Sequence, residues 1–172
     1  MTIIDKSIVF IGFMGSGKTT IGKIFAEKLK RPFIDIDKEI ENEYEMSTTK
    51  IFQTFGEKVF REQEKRLITK FCNEKSSVIS VGGGAFLQKE VQDLCMSKCI
   101  VIYLDISFEN WKERLSSIID SRPILQGLTF EEMKTLFYKR QELYNAHHIK
   151  IKIDNLDVDF ITNLVIESLD HP

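Results

Sequence analysis

Apolar residues follow two spacings along this chain. Four short stretches rich in apolar residues, at 7–11, 33–37, 78–81 and 100–104, predict strands, the first of them buried on both faces. A fifth strand is predicted at residues 149–153, where isoleucines alternate with lysines as at a sheet edge. Amphipathic helical patterns separate these strands. We therefore expect a mostly parallel five-stranded sheet covered by helices on both faces, a three-layer α/β/α fold.

The helical segments carry start and stop signals. Ser47 and Thr48 are suited to cap a short helix that stops at Gly56, and a longer helix begins at Glu57. Three further helices are predicted before the fourth strand: one begins at about Lys18, one runs from the end of the second strand to about Met46, and one ends at about Cys95. Three more are predicted after that strand: one runs from Ser107 to Leu115, one from the Thr129–Glu132 capping box to about Ala146, and one over 158–169. Residues 116–127 fit neither spacing, so we interpret them as a mobile loop.

The first predicted strand is followed by GFMGSGKT at residues 12–19, which fits the phosphate-binding pattern G-x-x-x-x-G-K-[ST] throughout. The pattern requires a strand before it and a helix after it, and both are predicted here. Glycines let backbone N–H groups surround a polyphosphate, and the helix N-terminus adds partial positive charge. Lys18 then reaches the β- and γ-phosphates, and the Thr19 hydroxyl ligates Mg²⁺. The two flanks disfavour the alternative of a plain glycine turn with an exposed lysine.

Composition narrows the class of protein. The 172 residues predict one domain, with 42% hydrophobic and 29% charged residues, as in soluble globular proteins. A formal net charge of -2 argues against general nucleic-acid binding. The three cysteines follow no zinc spacing and predict reduced thiols. Without a signal-peptide pattern or an apolar run of membrane-spanning length, we expect a cytoplasmic protein.

Two carboxylates, Asp35 and Asp37, end the second predicted strand, and strand alternation places them on one face. Asp35 is suited to hold Mg²⁺ through water. Asp37 is suited to accept hydrogen bonds from substrate hydroxyls and to act as base for an attacking oxygen. The alternative for Asp37 is a cap on the following helix.

The third predicted strand ends in Gly82-Gly83-Gly84. Three consecutive glycines add chain entropy and no side chain, which favours close approach of a substrate over a plain loop.

Three arginines are candidates for anion binding. Arg140 shares the apolar face of its predicted helix, where an arginine either extends past the core or pairs with an anion. Arg61 has Glu64 one turn later, and alone an internal pair is favoured; together with Arg140 it could grip a carboxylate. Arg122, before Pro123 in the predicted mobile loop, is either solvated or delivered to a phosphoryl group when the loop closes.

Taken in order, these motifs resemble those of the shikimate kinase family, a member of the nucleoside-monophosphate-kinase-like P-loop group. The matching pieces cover nearly the whole chain: residues 12–19, Phe33-x-Asp35-x-Asp37, Gly56-Glu57-x-x-Phe60-Arg61-x-x-Glu64, Gly82-Gly83-Gly84, Arg122-Pro123-x-Leu125 and Arg140-x-x-x-Tyr144. The resemblance implies ATP-dependent phosphorylation of the 3-hydroxyl of shikimate, giving shikimate 3-phosphate and ADP, in aromatic amino-acid biosynthesis.

The resemblance also implies the strand order 2-3-1-4-5, a substrate-binding region at about 35–64 and a lid at about 116–127 within one P-loop kinase domain over 1–172. Catalytic roles fall to Lys18, Asp37 and Arg122. The implied ATP site comprises Gly12, Met14, Gly15, Ser16, Gly17, Lys18, Thr19, Thr20 and Arg122. The implied shikimate site comprises Asp37, Arg61, Gly82, Gly83, Gly84 and Arg140, and Mg²⁺ falls to Thr19 and, through water, Asp35. We expect a monomer without nucleic-acid or membrane partners.

The chain departs from the family pattern at two places. Residues 118–121 make the lid less basic, and residues 154–157 replace a segment that usually carries an arginine and a proline, so no base contact is assigned there. Arg114 either stacks on a nucleotide base or lies on a solvated face. Rival interpretations are a gluconate or nucleoside-monophosphate kinase on the same fold, and a nucleotide-dependent switch or binding module. The chain lacks the Asp-x-x-Gly and Asn-Lys-x-Asp motifs of GTPases.

Overall fold

Five strands make up the sheet in the computed structural model, which describes residues 5–170: β1 (Ile8–Ile11), β2 (Phe33–Asp35), β3 (Val78–Ser80), β4 (Ile100–Asp105) and β5 (Ile149–Lys152). All pairings are parallel, and the order is β2-β3-β1-β4-β5, as predicted. Central β1 pairs on both sides, with Ile8 opposite Val78 and Ile100. Every residue of β1 and β3 is buried, because helices cover both faces of the sheet.

The helices are α1 (Lys18–Leu29), α2 (Ile36–Tyr44), α3 (Thr48–Asn73), α4 (Lys89–Lys98), α5 (Phe108–Ile118), α6 (Phe130–Gln141) and α7 (Val158–Asp170). The predicted caps form: Ser47 and Ser107 each accept a hydrogen bond from a backbone N–H in the first turn, and Thr129 and Glu132 form the capping box. Gly56 breaks α3 with a left-handed φ of 82°, at the predicted stop between two helices.

Several predicted boundaries were wrong by a few residues. Strand β2 ends at Asp35 rather than at residue 37, because α2 begins immediately after it. Helix α5 continues three residues past Leu115, and α4 continues to Lys98. Helix α6 ends at Gln141, and a 3₁₀ turn over Glu142–Asn145 replaces the predicted last α-helical turn.

The predicted irregular loop at 116–127 is largely helical. After α5 ends at Ile118, two 3₁₀ turns follow at Ile119–Ser121 and Pro123–Leu125. Leu125 is completely buried, and Ile118 and Ile124 pack against the core. Short turns of this kind show no clear hydrophobic period, which is why the sequence pattern did not reveal them.

The core reaches the phosphate-binding loop through Trp111. This side chain is fully buried against Phe13 and Phe137, and its indole N–H donates to the carbonyl oxygen of Met14 at 2.9 Å. The three cysteines, Cys72, Cys95 and Cys99, are buried and free. Among residues 5–170, no helix has the length and apolar character needed to span a bilayer.

Candidate active site

The site lies at the carboxyl edge of the sheet, where parallel α/β sheets bind ligands. Three strand ends meet there. The loop GFMGSGK follows β1, Asp35 ends β2, and the run Gly82–Gly84 comes shortly after β3. The sequence-predicted residues of the first, second and third strand ends therefore converge in one cleft.

The loop after β1 wraps round the amine of Lys18. Gly15 and Gly17 have left-handed φ angles of 81° and 93°, and Gly17 caps the N-terminus of α1. Lys18 Nζ donates to the carbonyl oxygens of Gly12 and Phe13, at 2.9 and 3.0 Å. The buried hydroxyl of Ser16 has no hydrogen-bond partner within residues 5–170. The fold thus presents the cationic, amide-lined concavity that a polyphosphate requires.

Burial strongly perturbs Lys18. Removal of the amine from water lowers the pKa of Lys18 to about 7, and the Arg122 guanidinium acts in the same direction. The carboxylates of Asp37 and Asp35 oppose this shift. A bound anion would stabilise the charged form of this buried amine.

Thr19 and Asp35 lie together beside this loop. Thr19 Oγ1 donates to Asp35 Oδ2 at 2.6 Å, while Asp35 Oδ1 accepts the backbone N–H of Lys38 at 3.2 Å. Asp35 is therefore the cap of α2, and the cap role considered for Asp37 belongs to its neighbour. A hydroxyl and a carboxylate in contact are oxygen donors of the kind Mg²⁺ prefers. Within residues 5–170, no group of three or more His, Cys, Asp or Glu side chains is arranged to hold a metal ion, here or elsewhere.

Asp37 lies in the first turn of α2, not on a strand, so the predicted strand alternation with Asp35 does not apply. Its Oδ2 accepts a hydrogen bond from Arg122 Nη1 at 3.2 Å. Its Oδ1 is buried and has no hydrogen-bond partner among the described residues. Burial raises the pKa of Asp37, whereas the nearby cations Arg122, Lys18 and Arg61 oppose the rise. One carboxylate oxygen therefore faces the cleft as a free acceptor.

The run Gly82–Gly84 has side chains of opposite charge at its two ends, which we call the carboxylate end and the arginine end. A Cβ on Gly82 would lie 2.8 Å from Glu64 Oε1 and 3.1 Å from Asp37 Oδ1. A Cβ on Gly84 would collide with Arg61 Nη2 and lie 2.8 Å from Arg140 Nη1. Only glycine leaves both spaces open. One end offers carboxylate oxygens that accept hydrogen bonds, and the other offers guanidinium groups that donate them.

The two arginines of the arginine end, Arg61 and Arg140, differ in their hydrogen-bond partners. Arg61 pairs with Glu64 at 2.8 Å and with Glu57 at 3.2 Å, so the internal helix pair considered from the sequence does form. It does not withdraw Arg61 from the cleft, because Nη2 still reaches the space beside Gly84. Arg140 is 5% exposed, and its buried Nη1 has no hydrogen-bond partner among the described residues. The burial of Arg140 excludes the alternative in which its side chain extends into solvent, and it leaves Nη1 available to an anion in the cleft.

Glu64 is a site residue whose place sequence reasoning missed. It is fully buried, and its Oε1 has no hydrogen-bond partner among the described residues. Burial raises the pKa of Glu64 to about 7, against the opposing effect of the Arg61 guanidinium. The sequence showed only a glutamate one helical turn after an arginine, and its spacing relative to Phe60 and Leu67 was the available sign that it faces inward.

Residues 116–127, the predicted lid, lie against the phosphate-binding loop and the carboxylate end of the cleft. Arg122 reaches Asp37, and the Ile118 side chain packs so closely on Gly15 that a Cβ there would lie 2.6 Å from Ile118 Cδ1. Arg114 Nη1 donates to the carbonyl oxygen of Gly15 at 3.2 Å. Arg114 is thus tied to the phosphate-binding loop, rather than lying on a solvated face.

The cleft has two connected chambers. The larger, of about 400 Å³, is lined by the phosphate-binding loop, Asp35 and the lid. The smaller, of about 50 Å³, is lined by Arg61, Glu64, Arg140 and the glycine run. Met14, Thr48, Gly82, Gly83, Asp37 and Arg122 line both chambers. The free oxygen of Asp37 and the Arg122 guanidinium therefore stand at the junction, where a group passing between the chambers would meet them.

A parallel sheet with a phosphate-binding loop, Arg122 beside that loop and a second chamber lined by Arg61 and Arg140 is the arrangement of a small-molecule kinase of the P-loop class. The family model described as "Shikimate kinase" matches residues 14–170. The shikimate kinase of Oceanobacillus iheyensis is 48% identical over 165 residues, covering 96% of this chain and 90% of that protein. That of Bacillus licheniformis is 46% identical over 166 residues, covering 96% and 94%.

The comparison with solved structures points to the same family as the comparison with sequences. The shikimate kinase from Acinetobacter baumannii in complex with shikimate superposes with a TM-score of 0.88 at 29% identity, covering 95% of this chain and 92% of that one. This chain belongs to the shikimate kinase family.

Proposed function

We propose that this protein transfers the γ-phosphoryl group of ATP to the 3-hydroxyl of shikimate, giving shikimate 3-phosphate and ADP for aromatic amino-acid biosynthesis. The observation that carries the proposal is the opposite chemistry of the two ends of the glycine run. Shikimate has a carboxylate on one side of its ring and hydroxyls on the other. Its carboxylate suits the arginine end, and its hydroxyls suit the carboxylate end.

The larger chamber is the proposed ATP site. The backbone of residues 12–17 surrounds the phosphates, and Lys18 exchanges its two carbonyl partners for phosphate oxygens. Thr20 and Met14 line the same chamber. Thr19 and Asp35 would hold Mg²⁺, Asp35 through water, since their oxygens already lie together. When bound, Mg²⁺ offsets negative charge on the phosphate oxygens.

The smaller chamber is the proposed shikimate site. Arg61 and Arg140 bind the carboxylate from two sides, and the open backbone of Gly82, Gly83 and Gly84 lets the ring approach. The unpaired Nη1 of Arg140 gains the partner that it lacks within the described chain. Binding the acceptor thereby relieves a buried charge, which contributes favourable free energy.

Asp37 and Arg122 carry the proposed chemistry at the junction. Asp37 Oδ1 accepts the hydrogen of the attacking hydroxyl, orients its oxygen toward the phosphoryl group and receives the proton. Burial raises the pKa of Asp37, which makes its carboxylate a stronger base. Lys18 and Arg122 stabilise negative charge on the phosphoryl oxygens during transfer, and closure of the lid over residues 116–127 keeps water out.

The acceptor is tested by measuring ADP release with shikimate, gluconate and AMP in parallel. We expect turnover with shikimate at least about a hundredfold above the other two, because only shikimate fills both ends of the small chamber. Gluconate is the informative comparison, since it is also a carboxylated polyol. If shikimate fails to stimulate ADP release, the proposed acceptor is wrong.

The role of Asp37 is tested with Asp37→Asn. This change keeps the shape of the side chain and removes its basicity, so we expect kcat to fall about 10²- to 10⁴-fold while ATP affinity changes little. Lys18→Met is the contrasting variant, because it should weaken both turnover and phosphate binding. Near-normal turnover of Asp37→Asn would show that Asp37 is not the base.

We also propose that the chain works as a single-domain monomer in the cytoplasm. The support is that both chambers are lined by residues of one chain arranged around one sheet. Light scattering during size-exclusion chromatography should give a mass near 20.0 kDa.

A further inference from the structure

Tyr144 joins the end of α6 to the glycine run. It is 1% exposed and lies in the 3₁₀ turn that follows α6. Its hydroxyl donates to the carbonyl oxygen of Gly83 at 2.6 Å. Neither the binding nor the chemistry described above assigns this side chain a task.

Gly83 is held between Tyr144 and the phosphate-binding loop. A Cβ on Gly83 would lie 3.0 Å from Met14 N, 3.4 Å from the Gly12 carbonyl oxygen and 3.5 Å from the Tyr144 hydroxyl. The glycine run therefore lies against the phosphate-binding loop and is also tied by the Tyr144 phenol. A movement of this peptide would change the spacing between the two chambers.

The hydrogen bond also fixes the direction of the next amide. A trans peptide plane directs its C=O and N–H to opposite sides, and the described chain contains no cis peptide. With the Gly83 carbonyl turned toward Tyr144, the N–H of Gly84 faces away from Tyr144. Gly84 is the residue against which Arg61 Nη2 and Arg140 Nη1 lie.

Arg140 and Tyr144 are four residues apart at the end of α6. One segment of chain therefore places both the buried guanidinium and the phenol that anchors the glycine run. The neighbouring Tyr103 shows the contrast. Its ring lies 5.3 Å from that of Tyr144, but its hydroxyl hydrogen-bonds to Asp105 Oδ1 at 2.9 Å and to the Gln141 side chain, and no hydrogen bond joins it to the glycine run.

We propose that Tyr144 is a positioning residue for the phosphoryl acceptor: its hydroxyl sets the peptide plane of Gly83 and so the distance between the arginine end and the carboxylate end of the chamber. This inference rests on the proposed function, because it assigns the fixed spacing to shikimate. Tyr144 acts through the glycine backbone and through the Arg140 side chain, with which its hydroxyl also interacts, and it does not touch the reacting atoms.

Tyr144→Phe is the direct test, since it removes the hydroxyl and keeps the ring. The Gly83 carbonyl then loses its partner inside the protein, and the glycine run is released. We expect KM for shikimate to rise about five- to thirtyfold, the range corresponding to loss of one buried hydrogen bond. KM for ATP and kcat should stay within about twofold, because the phosphate-binding loop and Asp37 are unchanged.

Tyr103→Phe is the matched control. It removes a hydroxyl from the adjacent ring, and we expect its KM for shikimate to stay within about twofold of wild type. Hydrogen exchange of the free proteins supplies a readout independent of turnover. Amides of residues 82–88 should exchange faster in Tyr144→Phe than in wild type, and at the wild-type rate in Tyr103→Phe.

The outcomes separate this inference from the proposed function. Unchanged KM for shikimate and unchanged exchange in Tyr144→Phe overturn the positioning role while leaving the activity in place. Equal rises in KM for ATP and shikimate, or the same rise in Tyr103→Phe, also overturn it, because they indicate a general packing effect. A wild-type enzyme that ignores shikimate overturns the proposed function, and the assignment of the spacing to shikimate with it.

Discussion

Arg122 Nη1 donates a hydrogen bond to Asp37 Oδ2 at 3.2 Å, joining residues 85 positions apart in the sequence. The contact brings the lid to the junction of the two chambers and leaves Asp37 Oδ1 free. The guanidinium also restrains the pKa of Asp37, which burial raises. In the proposed mechanism, Arg122 therefore acts on the base as well as on the phosphoryl group.

Arg122→Met should change the pH profile as well as the rate. Without the guanidinium, the pKa of Asp37 rises further, so the acidic limb of kcat/KM should move to higher pH. We expect kcat to fall about 10²- to 10³-fold, because a cation at the transferring phosphoryl group is lost. Steady-state rates between pH 5 and 9 measure both effects. Arg66→Met, which alters an exposed arginine paired with Glu43, should leave the profile in place. An unmoved acidic limb in Arg122→Met would contradict the coupling.

Lys18 should gain a proton when nucleotide binds. Burial lowers its pKa to about 7, so much of the amine is neutral at pH 8, and phosphate oxygens favour the charged form. We expect uptake of up to about one proton per ATP at pH 8, and weaker ATP binding as pH rises above 7. Titration calorimetry in two buffers of different ionisation enthalpy counts the protons. Lys18→Met should bind ATP weakly and without this uptake. Equal uptake by both proteins would assign it to another group.

Glu64 should make stability depend on pH. Its folded pKa of about 7 exceeds the ordinary value of 4.5, so the folded state binds more protons than the unfolded state between those values. The free energy of unfolding should therefore fall as pH rises from 4.5 to 7, by as much as about 1.4 kcal/mol per pH unit. Urea unfolding at several pH values measures this slope.

Glu64→Gln should flatten that slope, because glutamine does not titrate. Glu57→Gln is the matched control: Glu57 also pairs with Arg61 but is half exposed, so its variant should retain the wild-type slope. If Glu64→Gln and wild type lose stability in parallel over this range, the slope arises elsewhere.

Gly84→Ala should weaken acceptor binding and leave the fold intact. Gly84 has φ -105° and ψ 3°, which alanine also adopts, but its methyl group would displace the ends of Arg61 and Arg140. We expect KM for shikimate to rise about tenfold or more, since bidentate contacts to the carboxylate require exact placement of both guanidinium groups. Shikimate methyl ester, which lacks the carboxylate charge, is the control substrate. If Gly84→Ala impairs the ester as strongly as shikimate, the arginine end is not the carboxylate site.

The sequence predicted the parts of this protein that depend on local pattern. The strand order implied by the family resemblance, the phosphate-binding loop, the Gly56 break and the Thr129 capping box are all confirmed. The loop, the break and the capping box each depend on a short motif that a single sequence displays directly, whereas the strand order depends on the resemblance of the whole chain to the family.

The errors arose where tertiary packing, rather than local pattern, determines the element boundaries and the burial of a residue. Asp37 was placed on a strand because Ile36 looked like the continuation of an apolar run, yet Asp35 caps a helix that begins at Ile36. Residues 116–127 lacked a period because two 3₁₀ turns, held by buried Leu125, replace a regular helix. The complete burial of Glu64 and the contact from Tyr144 to Gly83 depend on segments distant in sequence, so no local pattern reveals them.

The central claim is that the chamber holds the acceptor with its carboxylate at Arg61 and Arg140 and its reacting hydroxyl at Asp37. Nuclear magnetic resonance of the product formed from ATP and shikimate tests which hydroxyl is presented to the phosphoryl group, because phosphorus–proton coupling identifies the phosphorylated oxygen. The account predicts a single product, with coupling to the proton on carbon 3. Phosphate on another hydroxyl, or no phosphorylated shikimate at all, would contradict it.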